Sequence, residues 1–348
     1  MAGSAFAQAP KYSNEFLSIG VGARSLAMGN SSVAHVDDVT AGFWNPAGLN
    51  ELKSDVQIGY MHNEFFAGIA KYDYGAIAAR TDATTVIGFT PLLRLGIDNI
   101  PDTSELIDAS GNINYDRIKS FSAADYAFIF SYAKKSKIKG LTYGGNAKVV
   151  HRKVGEFATA WGFGLDFGTQ YQVGTWKFGA MGRDITSTFN AWSFNTEKLA
   201  DVFTLTGNEI PENSLEITLP RIILGAGKMF TFSEKFNLYS EIDLDVTFDG
   251  KRNVLIRGNP ISIDPHMGIE LGYGGFAFLR AGVSNIQQTQ NLDQEFSFNM
   301  QPNLGLGVKL KSIHIDYALT NVGQNVGLLS NVFSLKLDIN KRSKPDSS

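Results

Sequence analysis

The residues best equipped for chemistry lie on one short stretch. Glu241, Asp243 and Asp245 recur at every second position, with Asp249 just beyond. Grouped carboxylates suit acid–base catalysis or calcium binding. At period two, however, they fall along one side of a single extended strand instead of converging on a point. No glycine-containing EF-hand spacing surrounds them. They read as the lining of a solvated lumen. His35, His62, His151, His266 and His314 are scattered without ligand spacing, and no G-x-S-x-G elbow accompanies them. Gly20, Gly22 and Gly29 lack the spacing of a phosphate loop, and no Gly-Lys-Ser/Thr follows. The expectation is a protein that is not an enzyme, with no catalytic residue, no metal and no cofactor.

Composition narrows the class. The chain has 348 residues, 31 Lys plus Arg against 34 Asp plus Glu, and a net charge of −3. That balance argues against a nucleic-acid partner, which selects a strongly basic face. With no cysteine, thiolate zinc sites, iron–sulfur clusters, disulfide frameworks and cysteine nucleophiles are excluded. No apolar run approaches the ~18 residues of a membrane helix. A soluble protein remains open on these grounds. So does a membrane β-barrel, whose strands hide their hydrophobicity in alternation. At the N-terminus, Ala5-Phe6-Ala7 fits the small-x-small pattern of signal-peptidase cleavage, without the basic region and apolar core of a whole signal peptide. Residues 1–7 are therefore read as a signal-peptide remnant of an exported protein.

The elements that position these residues are strands. From Phe236 to Asp249, Phe236, Leu238, Ile242, Leu244, Val246 and Phe248 share one parity, while Asn237, Glu241, Asp243, Asp245 and Thr247 share the other. Thr159–Tyr171, Ile261–Tyr273, Phe296–Leu310, Ser312–Thr320 and Asn331–Asn340 repeat the scheme. A helix would scatter these apolar residues around its circumference. Several segments exceed the five or six residues typical of soluble sheets and reach the roughly 9–11 needed to cross a bilayer at a tilt. About fourteen segments follow Asp55. Short turns near Thr81, Lys134–Lys139, Gly174, Ser233, Gly274 and Lys311 alternate with longer polar connections at Gly96–Ser120, Ser187–Ser214, Asp249–Pro260, Ile286–Glu295 and Asn321–Ser330. That alternation is the pattern of an outer-membrane barrel with short periplasmic turns and longer outer loops. A soluble β-sandwich or lipocalin-like barrel is the rival, disfavoured by the small and charged residues that fill the polar parity. Tyr126, Phe128, Phe130 and Tyr132 share one parity, and Tyr143, Trp161, Tyr171 and Trp176 sit near segment ends, as interfacial girdles require. Inward Lys148, Arg152, Lys309 and Lys336 face Asp166, Glu241, Asp243, Asp316 and Asp338, and opposite signs across a narrow lumen are expected to pair and fill it. The predicted organisation is a plug over 8–54, a barrel over 55–340 and a disordered periplasmic tail over 341–348.

Residues 12–52 alternate little and are rich in small side chains, long enough for a plug that starts on the periplasmic side. The run Phe16-Leu17-Ser18-Ile19-Gly20-Val21-Gly22-Ala23-Arg24, followed by Ala41-Gly42-Phe43-Trp44-Asn45-Pro46-Ala47-Gly48-Leu49, resembles the N-terminal region of the PorV/PorQ family, outer-membrane proteins of the type IX secretion system of Bacteroidetes-type bacteria. Within it, Asn45-Pro46-Ala47-Gly48-Leu49 is similar to the hatch motif of the wider FadL-like fatty-acid transporters, which form fourteen-stranded barrels. Met61-His62-Asn63-Glu64, Tyr72-Asp73-Tyr74-Gly75 and Arg94-Leu95-Gly96-Ile97-Asp98 extend the PorV-like similarity. The resemblance implies an all-β, FadL-like outer-membrane antiparallel barrel with an N-terminal hatch. It also implies partners: translocon subunits, cargo proteins with C-terminal sorting domains, and outer-membrane lipid and lipopolysaccharide. The alternative is a transporter of hydrophobic small molecules, in which Phe16, Leu17, Phe43 and Trp44 either line a greasy pocket or anchor the plug to the wall.

Overall fold

A computed structural model describes residues 13–341, apart from 67, 104–105, 107–110, 201–213, 291–295 and 322–328. The expected signal-peptide remnant, nearly all of the expected tail and parts of the outer loops thus lie outside the described residues. The strands are β1 Val56–Phe65, β2 Ala70–Arg80, β3 Thr85–Asp102, β4 Lys119–Lys135, β5 Leu141–Val154, β6 Ala158–Val173, β7 Trp176–Arg183 and β8 Phe189–Phe194. They continue with β9 Ser214–Ile217, β10 Arg221–Thr231, β11 Phe236–Thr247, β12 Ser262–Tyr273, β13 Ala277–Gln290, β14 Phe296–Leu310, β15 Ile313–Asn321 and β16 Leu329–Ile339.

These strands make fourteen crossings of one closed antiparallel wall. β1 pairs with β16, Val56 opposite Ile339, and so removes the exposed edge. β7 and β8 are two halves of one crossing. β7 pairs with the periplasmic half of β6, β8 with its outer half. On the other side β7 meets β10 and β8 meets β9. The break falls where Asp184 and Ser187 adopt left-handed φ of 57° and 58°, and it turns Asp184 into the lumen. β3 and β4 run well into the span expected as loop, since Ile97 pairs with Ala123 and Asp102 with Lys119. Their ladder continues as a hairpin standing above the rest of the wall.

The period-two pattern resolves into inside and outside. Leu304, Leu306 and Val308 of β14 are exposed, whereas Asn303, Gly305 and Gly307 between them face inward. Trp161, Phe163 and Phe167 on β6 and Phe130 and Tyr132 on β4 are likewise outside. So continuous an apolar exterior has no place in water. This is a membrane-spanning barrel of the outer-membrane type. Inside, fourteen strands enclose more room than wall side chains fill, and the N-terminal segment occupies it. That segment holds two short helices, α1 Ala23–Ala27 and α2 Ala41–Trp44.

The direction of this plug corrects one expectation. Its first described residues lie in the outer half of the lumen, not on the periplasmic side. Asn190 of β8 donates to Ser13 Oγ and Asn14 Oδ1, both at 2.9 Å, and Asn14 donates to Thr218 Oγ1 at 2.9 Å. The hydrogen-bonding groups of β8 and β9 hold the start high, and the chain then descends to the periplasmic rim at residues 46–52. There Arg80 binds the carbonyl oxygens of Asn50 (3.2 Å) and Leu52 (2.6 Å).

A charge on the lipid face tests the orientation. Leu306→Arg near the bilayer midplane should destabilise the reconstituted barrel by about 2–4 kcal/mol, read from urea unfolding in lipid vesicles. An unchanged midpoint would mean that Leu306 does not face the membrane.

Candidate functional site

The site is the plug and its seat. The expected hatch motif lies at the periplasmic end. Asn45 Nδ2 donates to Val33 O (2.9 Å) and Thr169 O (3.0 Å), while Asn45 Oδ1 accepts from Ala47 N–H (3.2 Å). One side chain thereby ties the plug to itself, to β6 and to the helical turn that Pro46 begins. A Cβ on Gly48 would stand 2.2 Å from Val36 O, so only glycine lets these strands of the plug meet. Pro46, Ala47 and Leu49 are buried with it. The motif's role is structural. It seats the plug.

Phe16, Leu17, Phe43 and Trp44 are buried too, Phe16 at 2% and Trp44 at 5% exposure. With Met61, Phe65, Tyr72, Tyr74, Leu93 and Ile129 they form one apolar body between the plug and β1–β4. Polar contacts on that side are sparse. The Tyr72 hydroxyl donates to Phe16 O (3.1 Å), Tyr74 to Val39 O (3.2 Å), and Gln57 accepts from Val39 N–H (2.7 Å). Arg183 of β7 covers the Phe43 ring at 4.6 Å and donates to Phe43 O at 2.7 Å.

The opposite side is held by charge. Arg24 of α1 binds Asp37 (2.6 Å) and Glu270 (2.9 Å). Glu270 binds Arg280 (2.6 Å), Arg280 binds Asp316 (2.8 Å), Asp316 binds Lys336 (3.1 Å), and Lys336 returns to the plug at Asp38 (2.6 Å). The chain of contacts alternates in sign throughout and spans β12, β13, β15 and β16. Desolvation alone would raise the Asp38 carboxyl, but Lys336 and Arg24 outweigh it and hold it down at about 2. A second clamp is made by β11. Asp243 Oδ2 accepts from Ser32 N–H (2.8 Å) and Val33 N–H (3.0 Å), and Glu241 Oε1 accepts from Ala34 N–H (2.7 Å). His35 and Tyr239 also bind Glu241. Glu241 and Asp243 therefore line no solvated lumen: both are 1% exposed and bonded to plug backbone. Buried carboxylates persist only with such partners.

The other expected charges also find partners. Lys148 binds Asp166 (2.8 Å) and Asp184 (2.5 Å), and Arg152 binds Asp125 (2.8 Å) and Glu216 (3.0 Å). Asp338 accepts from Gln57 (2.7 Å) and Ser54 (3.0 Å) and lies 4.0 Å from Lys309. Sequence reasoning missed Arg24, Asp37, Asp38 and Arg280 as clamps. A usable signal existed, because Arg24, Asp37 and Asp38 are three of the few charges between Ser13 and Leu52. Arg280 stands on the inward parity beside Gly282 and Ser284. In the outer half of the lumen lies a polar cavity of about 520 Å³, whose lining also includes the apolar Ile19, Leu26 and Phe65. Among the described residues no cluster of three or more His, Cys, Asp or Glu is placed to hold a metal.

Fold and plug define a plugged outer-membrane β-barrel. No protein-family model matches the chain, and no curated protein is similar to it in sequence. Solved structures are similar in fold. The "CymD monoaromatic hydrocarbon channel" aligns with a TM-score of 0.57 and 13% identity over 93% of this chain and 99% of that one. The toluene transporter TodX of P. putida aligns at 0.53 and 15%, over 92% and 99%. The toluene transporter TbuX of Ralstonia pickettii aligns at 0.53 and 13%, again over 92% and 99%. The chain thus shares the fold of these outer-membrane barrels.

Two outcomes follow from the seat. A Cβ on Gly282 would lie 2.1 Å from the Met28 carbonyl carbon, so Gly282→Val should unseat the plug at a cost of about 1–3 kcal/mol or more. Protease cleavage within the plug of the folded barrel would report it, and full protection would contradict the close approach. Because the Asp38 pKa is lowered from an unfolded value of about 3.9, its contribution is complete above that value and is lost as pH falls toward 2. Trp44 emission should therefore stay constant from pH 7 to about 4 and shift to the red between 4 and 2; a shift complete by pH 5 would assign plug retention to other groups.

Proposed function

We propose that this chain is an outer-membrane uptake protein for small hydrophobic molecules, with the N-terminal plug as its gate. The observation that carries the proposal is the asymmetry of the seat. Charges fix the plug to β11–β16, whereas the face toward β1–β4 is an apolar seam with few polar ties. Separating the apolar surfaces outward of the Arg80 contacts, around an apolar guest, leaves no charge unpaired, so the seam is the side on which the plug can yield. Leu26 and Phe65 belong to the apolar body and Ile19 packs against it, and all three also line the outer cavity. Structural neighbours described as hydrocarbon channels and toluene transporters support the same reading.

A removable staple tests the gate. A Cβ on Gly42 of α2 would stand 3.8 Å from Ser131 Cβ of β4, the usual separation in a disulfide, about 3.8 Å. The chain has no cysteine of its own, so Gly42→Cys with Ser131→Cys creates a single cross-link across the seam. Oxidised, this variant should take up radiolabelled toluene or palmitate at background rate, and reduction should restore the wild-type rate. Equal uptake in both states would overturn the gating role. No uptake by the wild type would overturn the function.

A second reading, docking of secretion partners, draws on the PorV-like sequence resemblance and on one structural feature. The tall β3–β4 hairpin and the β5–β6 turn border a cleft of about 950 Å³ whose rim carries Arg94, Lys119 and Lys153 beside Phe121 and Phe157. Such an outer surface suits protein or lipopolysaccharide contact. Affinity purification from solubilised outer membranes discriminates the two. Recovery of translocon subunits or of cargo with C-terminal sorting domains would favour docking, and recovery of the bare barrel favours uptake.

A further inference from the structure

The outer cavity has the wrong lining for a hydrocarbon. Its walls are amides and hydroxyls, among them Asn30, Asn63, Gln301, Asn303 and Ser284. Asn63 is 1% exposed and its Oδ1 has no hydrogen-bond partner, a costly state for a buried amide. The formal charges are already committed within the wall. Arg221 binds Asp245 at 2.9 Å, and Arg252 grips both carboxylate oxygens of Asp249. Asp264 and Glu15 also line the space, and the remaining base of the lining, His266, lies 3.8 Å from Asp264, so a carboxylate entering it would meet acids and would have to share His266 with Asp264. One part of the lining differs: Leu26 and Phe65 belong to the apolar body and Ile19 packs against it. At about 520 Å³, the cavity falls within the roughly 300–1,000 Å³ of small-molecule sites.

We infer that this cavity is a binding site for an uncharged amphiphile, with a head rich in hydroxyl or amide groups and an apolar tail. The head sits among Asn63, Gln301 and Asn303, which offer donors and acceptors together. The tail lies against Ile19, Leu26 and Phe65, the apolar part of the lining. A sugar-like or amide head satisfies the amides, while a fatty-acid carboxylate does not. The inference rests on the uptake reading for what happens below the cavity, but it concerns the entry step and its selectivity.

Alkyl glycosides supply the probe. With the full chain held in amphipol, calorimetric titration below the critical micelle concentration would compare octyl β-glucoside, octanoate and free glucose. Octyl glucoside should bind at least about tenfold more tightly than either, a difference that one or two matched hydrogen bonds and a buried tail supply. Asn303→Leu and Asn63→Leu should each weaken octyl glucoside about tenfold and leave octanoate unchanged, with heat-modifiable gel mobility confirming folded barrels. Octanoate binding as tightly as the glucoside would overturn the uncharged head, and glucose binding as tightly would overturn the tail. Leucine variants that bind like the wild type would overturn the site. Binding is read without passage, so a failure of this inference is a loss of head-group preference, whereas a failure of the uptake reading is a loss of flux.

Discussion

Charges removed from water must be neutralised where they lie, and that constraint organises this lumen. Three cations and four carboxylates alternate from Asp37 through Arg24, Glu270, Arg280, Asp316 and Lys336 to Asp38. Removing one member of such a buried set leaves its neighbours uncompensated and costs about 3–5 kcal/mol. The plug supplies both ends of the series and the wall supplies the middle, so neither part is electrically complete without the other. The wall of β12–β16 would otherwise present Glu270, Arg280, Asp316 and Lys336 to an empty channel, where nothing fixes their geometry.

Close approach makes that neutralisation specific. The inward parity of the wall carries small residues where the plug backbone passes, and Met28 lies so near Gly282 that a methyl group would overlap it. At such separations backbone amides reach wall carboxylates directly, as Ser32, Val33 and Ala34 do with Asp243 and Glu241. On the far side the same segment presents Phe16, Phe43 and Trp44 to Tyr72, Leu93 and Ile129, where dispersion replaces charge. The plug therefore has one polar and one apolar attachment, and the functional readings above grow from that difference.

Much of this was legible in the residues. Period-two alternation gave the strands, the fourteen crossings and the outward direction of Leu306 or Trp161, because a strand exposes its pattern locally. The inward charges Lys148, Lys336, Asp166 and Asp316 were legible for the same reason. Their partners were not, since pairing is set by topology: Lys336 meets Asp38 across 298 residues. Glu241 and Asp243 read as solvated because nothing in their own strand announces the backbone donors that dry them. The break between β7 and β8 was hidden as well. Left-handed backbone is uncommon outside glycine, though Asp adopts it more readily than Ser, and the buried Lys148 is what rewards Asp184 for turning inward. Asn45–Leu49 stood out as a motif by its residues, and in the structure they hold the plug to β6 and to itself.

The direction of the plug bears on how such a molecule is assembled. The path enters at Ser13 in the outer half of the lumen, descends to Leu52, and only then begins the wall at Val56. Fourteen crossings bring it back to the periplasmic side at Ile339, beside the strand where the wall began. A finished ring could receive the plug only by threading Arg24, Asp37 and Asp38 past the charged side chains of the wall. Closing the β1–β16 junction around a segment that is already in place avoids that passage. The topology thus favours an order of assembly in which the plug serves as the mandrel on which the last strand closes.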